Sequence, residues 1–222
     1  MSIGEHLFIA LEGCDGAGKT SIRDVLCAGL QRAGRPCLVV GQHSWLSPPA
    51  ARIIVDVRRG SHHHSPEVVA DAYFQDKVAH VRSTIGPALT RASVIADRYI
   101  VSDAVYQEVL YGIPAARTLT RHWQSGTLLP DLVVFVELDT STAYGRILKR
   151  GKATRHYERP APLRRIDAVY HRVLFDAPPV ALPPVVRFVN DKSEWRARVE
   201  MELLPRILGF FSGGVAAAVA SR

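Results

Sequence analysis

Short runs of apolar residues recur along the chain and alternate with longer stretches in which apolar residues follow helical spacing. The apolar runs are HLFIAL (6–11), CLVV (37–40), SVIA (93–96), LVVFVEL (132–138) and VVRFV (185–189). Runs that are apolar at nearly every position indicate strands buried on both faces, as in a parallel sheet covered by helices. The pattern therefore predicts an α/β fold, a three-layer sandwich built on a five-stranded parallel sheet.

Helix signals lie between these runs. Apolar residues at helical spacing follow the first run and predict a helix to about Ala33, which Gly34 and Pro36 end. Ser65 followed by Pro66 is typical of a helix start, with an N-cap and a proline in the first turn. We expect this second helix to continue to about Thr90.

Length, composition and cysteine content indicate one intracellular domain. The 222 residues fit a single domain, which we place at 1–211, followed by a flexible tail of small residues at 212–222. No apolar run approaches the roughly 18 residues that cross a bilayer, and no signal peptide is recognisable. Three cysteines without a pattern favour the reducing cytoplasm. We expect neither a membrane nor a nucleic acid as partner, because the net charge of +7 is concentrated in one segment rather than along a stripe.

A glycine-rich segment directly follows the first apolar run. It reads GCDGAGKT and fits the pattern G-x-x-x-x-G-K-[ST]. Such a loop points successive backbone N–H groups into one concavity, and the helix after it adds unpaired amide donors for phosphate. We expect Lys19 to bridge the β- and γ-phosphates of ATP and Thr20 to ligand Mg²⁺. The predicted nucleotide-binding residues are Gly13, Cys14, Asp15, Gly16, Ala17, Gly18, Lys19, Thr20 and Ser21.

An aspartate and an arginine end the third apolar run. Ligands of open α/β sheets bind outside the carboxyl ends of the strands, which is where Asp97 and Arg98 fall. Asp97 can hold Mg²⁺ through water, and Arg98 can form a fork of hydrogen bonds to an acceptor phosphate. The alternative is a structural ion pair at the end of a strand.

These elements resemble the thymidylate kinase family. The resemblance rests on EGCDGAGKT (12–20), on DRY (97–99), on Tyr106-Gln107, on PDL (130–132) before a strand and on an arginine-rich segment at about 146–160, all in the family's order. It implies a P-loop nucleoside monophosphate kinase that uses ATP and Mg²⁺ and forms a homodimer. Arg98 matches the family arginine that contacts the monophosphate. Asp15 matches the family aspartate that faces the nucleotide sugar and the transferred phosphate, and both residues are expected to take part in catalysis together with Lys19. Tyr106 and Gln107 are expected to bind the substrate.

The arginine-rich segment is expected to act as a lid. The loop between Gly13 and Gly18 carries no basic residue that could neutralise charge on the transferred phosphoryl group, so this charge must be met from elsewhere. In family members with such loops the lid supplies it. Arg150 and Arg155 are the leading candidates for catalysis, with Arg146 and Arg159 behind them.

The residues expected to contact the base of the acceptor depart from the family pattern. Tyr73 resembles the family phenylalanine that stacks on the base, Lys77 stands where the family has an arginine, and Asp103 stands where relatives carry a neutral side chain. Gly41–Leu46 replaces the REPG-like segment of the family. We therefore expect phosphorylation of a pyrimidine deoxynucleoside monophosphate, dTMP first. The alternatives are a cytosine-type acceptor such as 5-hydroxymethyl-dCMP read by Lys77 and Asp103, a site in which those two residues merely pair, a non-nucleotide acceptor, and a nucleotide-binding protein without turnover.

Overall fold

Five strands form one parallel sheet in the computed structural model, which describes residues 5–61, 63–151 and 153–212. The strands are β1 (Phe8–Glu12), β2 (Cys37–Val40), β3 (Ser93–Asp97), β4 (Leu132–Glu137) and β5 (Val185–Val189). Their order across the sheet is β2-β3-β1-β4-β5. β1 is buried along its whole length, whereas the edge strands β2 and β5 are partly exposed. The predicted α/β fold with a five-stranded parallel sheet is confirmed.

Helices connect and cover these strands. They are α1 (Lys19–Arg32), α2 (Pro48–Arg58), α3 (Pro66–His80), α4 (Gly86–Leu89), α5 (Ile100–Tyr111), α6 (Ala115–Gln124), α7 (Thr140–Lys149), α8 (Pro160–His171), α9 (Trp195–Arg198) and α10 (Leu204–Phe211). Single π-helical turns at Val81–Ile85, Arg172–Asp176 and Val199–Leu203 continue α3, α8 and α9. The apolar side chains of β1, β3 and β4 form the main core with the inward faces of these helices.

The predicted helix 66–90 is continuous but changes its geometry near its end. α3 ends at His80, a π turn covers Val81–Ile85, and α4 follows with Pro87 in its first turn. A proline inside a helix removes a hydrogen-bond donor and collides with the carbonyl four residues earlier, so a widened turn before it relieves the clash. The first strand also begins at Phe8 rather than at His6.

The centre of the sheet determines where a ligand can bind. β1 lies between β3 and β4, and Leu11 pairs with Asp97 of β3. The backbone amide of Arg98 continues this ladder and donates to the carbonyl of Leu11 at 3.0 Å. The two segments singled out in the sequence therefore leave the sheet side by side at its carboxyl edge.

Two further expectations concern membrane-spanning helices and the C-terminal tail. No helix within the described ranges is long and apolar enough to cross a membrane. The predicted tail 212–222 lies outside the described residues except for Ser212, as does Lys152 of the lid.

Candidate active site

The loop between β1 and α1 can form only because glycines occupy three of its positions, Gly13, Gly16 and Gly18, all of them at positive φ. Gly13 has φ +137°, and a Cβ there would lie 2.3 Å from the carbonyl oxygen of Val136. Gly18 has φ +94° and caps the amino end of the 14-residue helix α1. The loop thus opens onto the unpaired N–H groups of a long helix, an arrangement that binds phosphate.

Lys19 is folded back onto its own loop. Its ammonium donates to the carbonyl oxygens of Gly13 at 2.9 Å and Cys14 at 2.6 Å, and the residue is buried. Burial, together with the neighbouring Arg98, lowers the pKa of the Lys19 ammonium to about 8. The group still carries its charge at neutral pH.

Thr20 and Asp97 meet at the mouth of the loop. The Thr20 hydroxyl donates to Oδ2 of Asp97 at 3.0 Å, and a guanidinium nitrogen of Arg23 lies 3.2 Å from the same oxygen. A hydroxyl and a carboxylate that converge in this way are the oxygen ligands that Mg²⁺ prefers where phosphates supply the other ligands. Arg23 was not among the predicted site residues.

Arg98 occupies an unusual backbone conformation at the centre of the site. Its φ of +75° lies in the left-handed region, which costs a non-glycine residue on the order of 1 kcal/mol or more. One guanidinium nitrogen donates to Gly13 O at 2.9 Å and to the hydroxyls of Ser102 at 3.2 Å and Tyr170 at 3.0 Å. These contacts hold the strained residue in place and direct its side chain across the end of β1.

Asp15 is the carboxylate that faces Arg98. The second guanidinium nitrogen of Arg98 lies 3.0 Å from Oδ1 of Asp15, and the Tyr106 hydroxyl donates to the other carboxylate oxygen. Burial alone would raise the pKa of the Asp15 carboxyl, but Arg98 and Lys19 outweigh it and lower this pKa to about 2. Asp15 is therefore ionised and neutralises much of the charge of Arg98.

Glu12 supports this arrangement from below. It is fully buried, accepts a hydrogen bond from the Tyr99 amide at 3.1 Å and receives a short one from the Ser102 hydroxyl. Burial raises the pKa of the Glu12 carboxyl. Because Ser102 also contacts Arg98, Glu12 fixes the partner that orients the arginine.

Two adjoining cavities meet at these residues. The outer cavity has a volume of about 570 Å³ and is lined by Asp15, Gly16, Gly18, Lys19, Thr20, Ser21, Arg23, Gly41, Gln42, Arg58, Asp97, Arg98, Arg146, Arg150 and Arg155. The inner cavity has a volume of about 30 Å³ and is lined by Asp15, Gln42, His43, Val57, Arg58, Tyr73, Arg98, Tyr106, Leu110, Arg155 and Tyr157. Five residues line both: Asp15, Gln42, Arg58, Arg98 and Arg155. The outer cavity has the volume and the cationic lining expected of a site for nucleotide phosphates. The inner cavity has the aromatic lining expected around a nucleotide base.

Arg150 and Arg155, the two lid arginines predicted to act in catalysis, lie at different positions. Arg150 donates to both carboxylate oxygens of the buried Glu158 at 2.8 Å, and it lines only the outer cavity. The Arg155 amide donates to the same carboxylate at 2.8 Å, and its guanidinium donates to the Tyr157 hydroxyl at 2.8 Å. Arg155 lines both cavities, so it reaches the place where two bound ligands would meet.

The other two lid arginines differ from each other. Arg146 donates to the carbonyl of Asn190 at 3.0 Å and lines the outer cavity, while Arg159 is exposed and lines neither cavity. The lid also touches the end of α2, because a Cβ on Gly60 would lie 3.2 Å from the ring of His156. The structure thus places the lid against α2.

Lys77 and Asp103 do not line the inner cavity, contrary to the expectation that they read the base. Both are buried and pair with each other at 3.2 Å, and the Lys77 ammonium also donates to the carbonyl of Gln42 at 2.6 Å. The side-chain amide of Gln42 donates to Asp103 at 2.8 Å. A buried ammonium without a counter-charge is strongly unfavourable, and Asp103 supplies the counter-charge of Lys77. The geometry therefore favours the alternative in which the two residues merely pair.

The other residues predicted to bind the substrate lie in two different places. Tyr73 and Tyr106 line the inner cavity. Gln107 lies instead between α5 and α6, where it is buried and accepts a hydrogen bond from the Thr118 hydroxyl at 2.8 Å. It is not among the lining residues of either cavity.

Removal of one member of the buried pair should destabilise the protein strongly. We expect Asp103→Ala to lower the free energy of unfolding by about 3–5 kcal/mol, because the Lys77 charge stays buried without a partner. The double variant Lys77→Met/Asp103→Leu should lose much less. Urea unfolding measures both, with Asp71→Ala as control, since Asp71 pairs with Arg121 at 2.6 Å on the surface and should cost about 1 kcal/mol or less. A loss as small as the control's in Asp103→Ala would show that the pair is unimportant for folding.

Fold and site together define a P-loop phosphotransferase whose large phosphate-binding cavity adjoins a small cavity lined by aromatic side chains. Comparison with known proteins narrows this class. The family model described as thymidylate kinase matches residues 11–178. The chain belongs to the thymidylate kinase family, and it is a nucleoside monophosphate kinase.

Individual relatives show the same similarity. Thymidylate kinase of Xanthomonas campestris pv. campestris (strain B100) is 33% identical over 165 residues, which cover 74% of this chain and 70% of that protein. The probable thymidylate kinase of Methanospirillum hungatei JF-1 is 30% identical over 172 residues, which cover 76% and 80%. Thymidylate kinase of Xanthomonas euvesicatoria pv. vesicatoria (strain 85-10) is 33% identical over 165 residues.

Sequence reasoning missed two residues that line both cavities. Gln42 and Arg58 carry no motif, and they lie on the loop after β2 and in the last turn of α2. One signal was available, since the loop after β2 must emerge at the same edge of a parallel sheet as the P-loop.

Proposed function

We propose that the protein transfers the γ-phosphate of ATP to dTMP and releases dTDP and ADP. The observation that carries the proposal is the meeting of the two cavities at Asp15, Gln42, Arg58, Arg98 and Arg155. ATP binds in the outer cavity with its phosphates on the P-loop, and the monophosphate binds in the inner cavity, which has a volume of about 30 Å³ and widens to admit it. A non-catalytic nucleotide-binding protein is not favoured, because the reactive ends of both ligands would face each other among cationic side chains.

The chain's own residues position the groups that react. Lys19 leaves its loop carbonyls to bind the β- and γ-phosphates, and Arg98 holds the acceptor phosphate. An acceptor oxygen then forms its bond to the γ-phosphorus while the bond to the β–γ bridging oxygen breaks. Arg155 meets the charge on the transferred group at the junction of the cavities. No covalent bond to the enzyme forms.

Thr20 and Asp97 fit the magnesium ion that such nucleotides carry. The two oxygen donors lie 3.0 Å apart at the mouth of the P-loop. Thr20 would ligand the ion directly and Asp97 through water, and the bound ion would neutralise charge on the phosphates of ATP. Mg²⁺ belongs to the proposed function together with ATP.

The preference for thymine follows from the pairing of Lys77. Because Lys77 and Asp103 neutralise each other, they present neither a free donor nor a free acceptor to the base. A cytosine ring would need an acceptor for its 4-amino group and a donor for N3, and these were the roles expected of Asp103 and Lys77. The cytosine-type alternative is therefore not favoured.

Relative activities on four acceptors test the proposed substrate. We expect kcat/KM for dTMP to exceed that for dCMP and 5-hydroxymethyl-dCMP by more than tenfold, which is about 1.4 kcal/mol of transition-state binding. dUMP should rank second, since it keeps the N3–H. A coupled assay of ADP release with ATP at saturation measures all four. Faster turnover of either cytosine nucleotide would overturn the thymine assignment and leave the kinase class intact.

A further inference from the structure

Arg58 differs in its contacts from every other arginine that lines the two cavities. Within the described part of the chain, the others each have a polar partner: Arg23 contacts Asp97, Arg98 contacts Asp15, Arg146 contacts Asn190, Arg150 contacts Glu158 and Arg155 contacts Tyr157. The recorded contact of Arg58 is the ring of Trp45, with its guanidinium carbon 5.6 Å from the ring centre. Its five N–H donors are thus available to a ligand.

The position of Arg58 is set by secondary structure rather than by a mobile loop. It is the last residue of α2, a helix whose Ile54 and Val57 are buried in a second small core with Tyr73 of α3. Arg58 is half-buried, whereas Arg59, the next residue, is exposed. The helix therefore directs the guanidinium of Arg58, and not that of Arg59, into both cavities.

The loop that packs beside Arg58 supplies no cation of its own. Gly41–Leu46, the loop beside it, reads GQHSWL and contains neither lysine nor arginine. Burial lowers the pKa of His43, so the ring of His43 is neutral at pH 7. A dianionic phosphate that enters the inner cavity meets Arg98, whose charge Asp15 already balances, and Arg155 from the lid.

We infer that Arg58 binds the phosphate group of the acceptor nucleotide. A guanidinium can form two parallel hydrogen bonds to phosphate oxygens, which matches both the free donors of Arg58 and its place where the cavities meet. The phosphates of ATP already have Lys19 and the amino end of α1, so Arg58 serves the acceptor. The inference rests on the proposed function in that the inner cavity receives a nucleoside monophosphate.

Steady-state kinetics separate an acceptor-binding role from a structural one. Arg58→Ala should raise KM for dTMP at least tenfold and leave KM for ATP within twofold. KM for dTMP in Arg58→Lys should lie between the wild-type value and that of Arg58→Ala, because an ammonium keeps the charge but cannot form the two parallel hydrogen bonds. Arg59→Ala, the matched control, should change neither constant. Equal rises in both KM values, or no rise in either, would overturn the inference.

A binding measurement keeps this test independent of the proposed substrate. Calorimetric titration of the full chain with thymidine and with dTMP gives the affinity that the phosphate adds. Arg58→Ala should reduce that ratio at least tenfold while its thermal unfolding midpoint stays at the wild-type value; an unchanged ratio overturns the inference. If the wild type instead uses another monophosphate, dTMP is the wrong substrate, and the same titration with that nucleotide and its nucleoside tests Arg58.

Discussion

Lys19→Ala is expected to lower kcat at least roughly a hundredfold, the largest effect of any single substitution in this chain. The variant loses the ammonium that neutralises charge on the phosphates as the γ-phosphoryl group leaves ADP. Lys19 is buried inside the P-loop, so no neighbouring lysine can take its place. Coupled ADP release measures turnover, with both substrates at saturation.

Stability measurements distinguish this effect from misfolding. The lowered pKa of Lys19 means that folding disfavours its charged form at neutral pH, so its removal should not lower the unfolding temperature. Arg32→Ala is the control, because Arg32 ends the same helix at its far side and pairs with the exposed Glu200 at 3.1 Å. An Lys19→Ala enzyme with wild-type turnover would show that the loop does not bind the reacting phosphates.

Arg155→Ala should have the second largest effect, again on the order of a hundredfold in kcat. Arg155 lines both cavities, so its charge acts on the group in transfer, and the contact strengthens as charge develops there. KM for the acceptor should rise less than kcat falls. The measurement is a full kinetic analysis with both substrates varied.

Arg150→Ala provides the comparison that ranks the two lid arginines. The Arg150 guanidinium is held by Glu158, which also accepts a hydrogen bond from the Arg155 amide. Removal of Arg150 should therefore act by changing the conformation of the lid, and kcat should fall several-fold less than in Arg155→Ala. Arg159→Ala, an exposed lid arginine outside both cavities, should behave like the wild type. A larger loss of kcat in Arg150→Ala than in Arg155→Ala would reverse this ranking.

Local patterns in the sequence were sufficient for the fold and for the phosphate-binding half of the site. A strand, a glycine loop and a helix are contiguous, so the P-loop can be read directly, and Asp97 and Arg98 are placed by the end of a strand. The family and the enzyme class are confirmed by the comparisons. The roles of the individual side chains, the identity of the lid arginine and the homodimer stay predictions.

The acceptor side could not be read in the same way, because its residues meet through tertiary packing. Lys77 and Asp103 lie 26 positions apart on different helices, and spacing alone cannot tell whether two charges face a ligand or each other. Gln107 follows Tyr106 in the sequence but points toward α6, since neighbours on a helix face different sides. Gln42 and Arg58 belong to no motif, and only the packed structure brings them to the cavities.

The contact between Gly60 and His156 has a consequence for the order of events in each reaction cycle. It joins the end of α2, which carries Arg58, to the lid, which carries Arg155. Lifting of the lid would break this contact and carry Arg155 away from the cavities, while the packed helix α2 would keep Arg58 in place. The acceptor would then stay bound to one of its two flanking arginines when the lid opens, and a bulky side chain at Gly60 would collide with His156 and hold the lid away from α2.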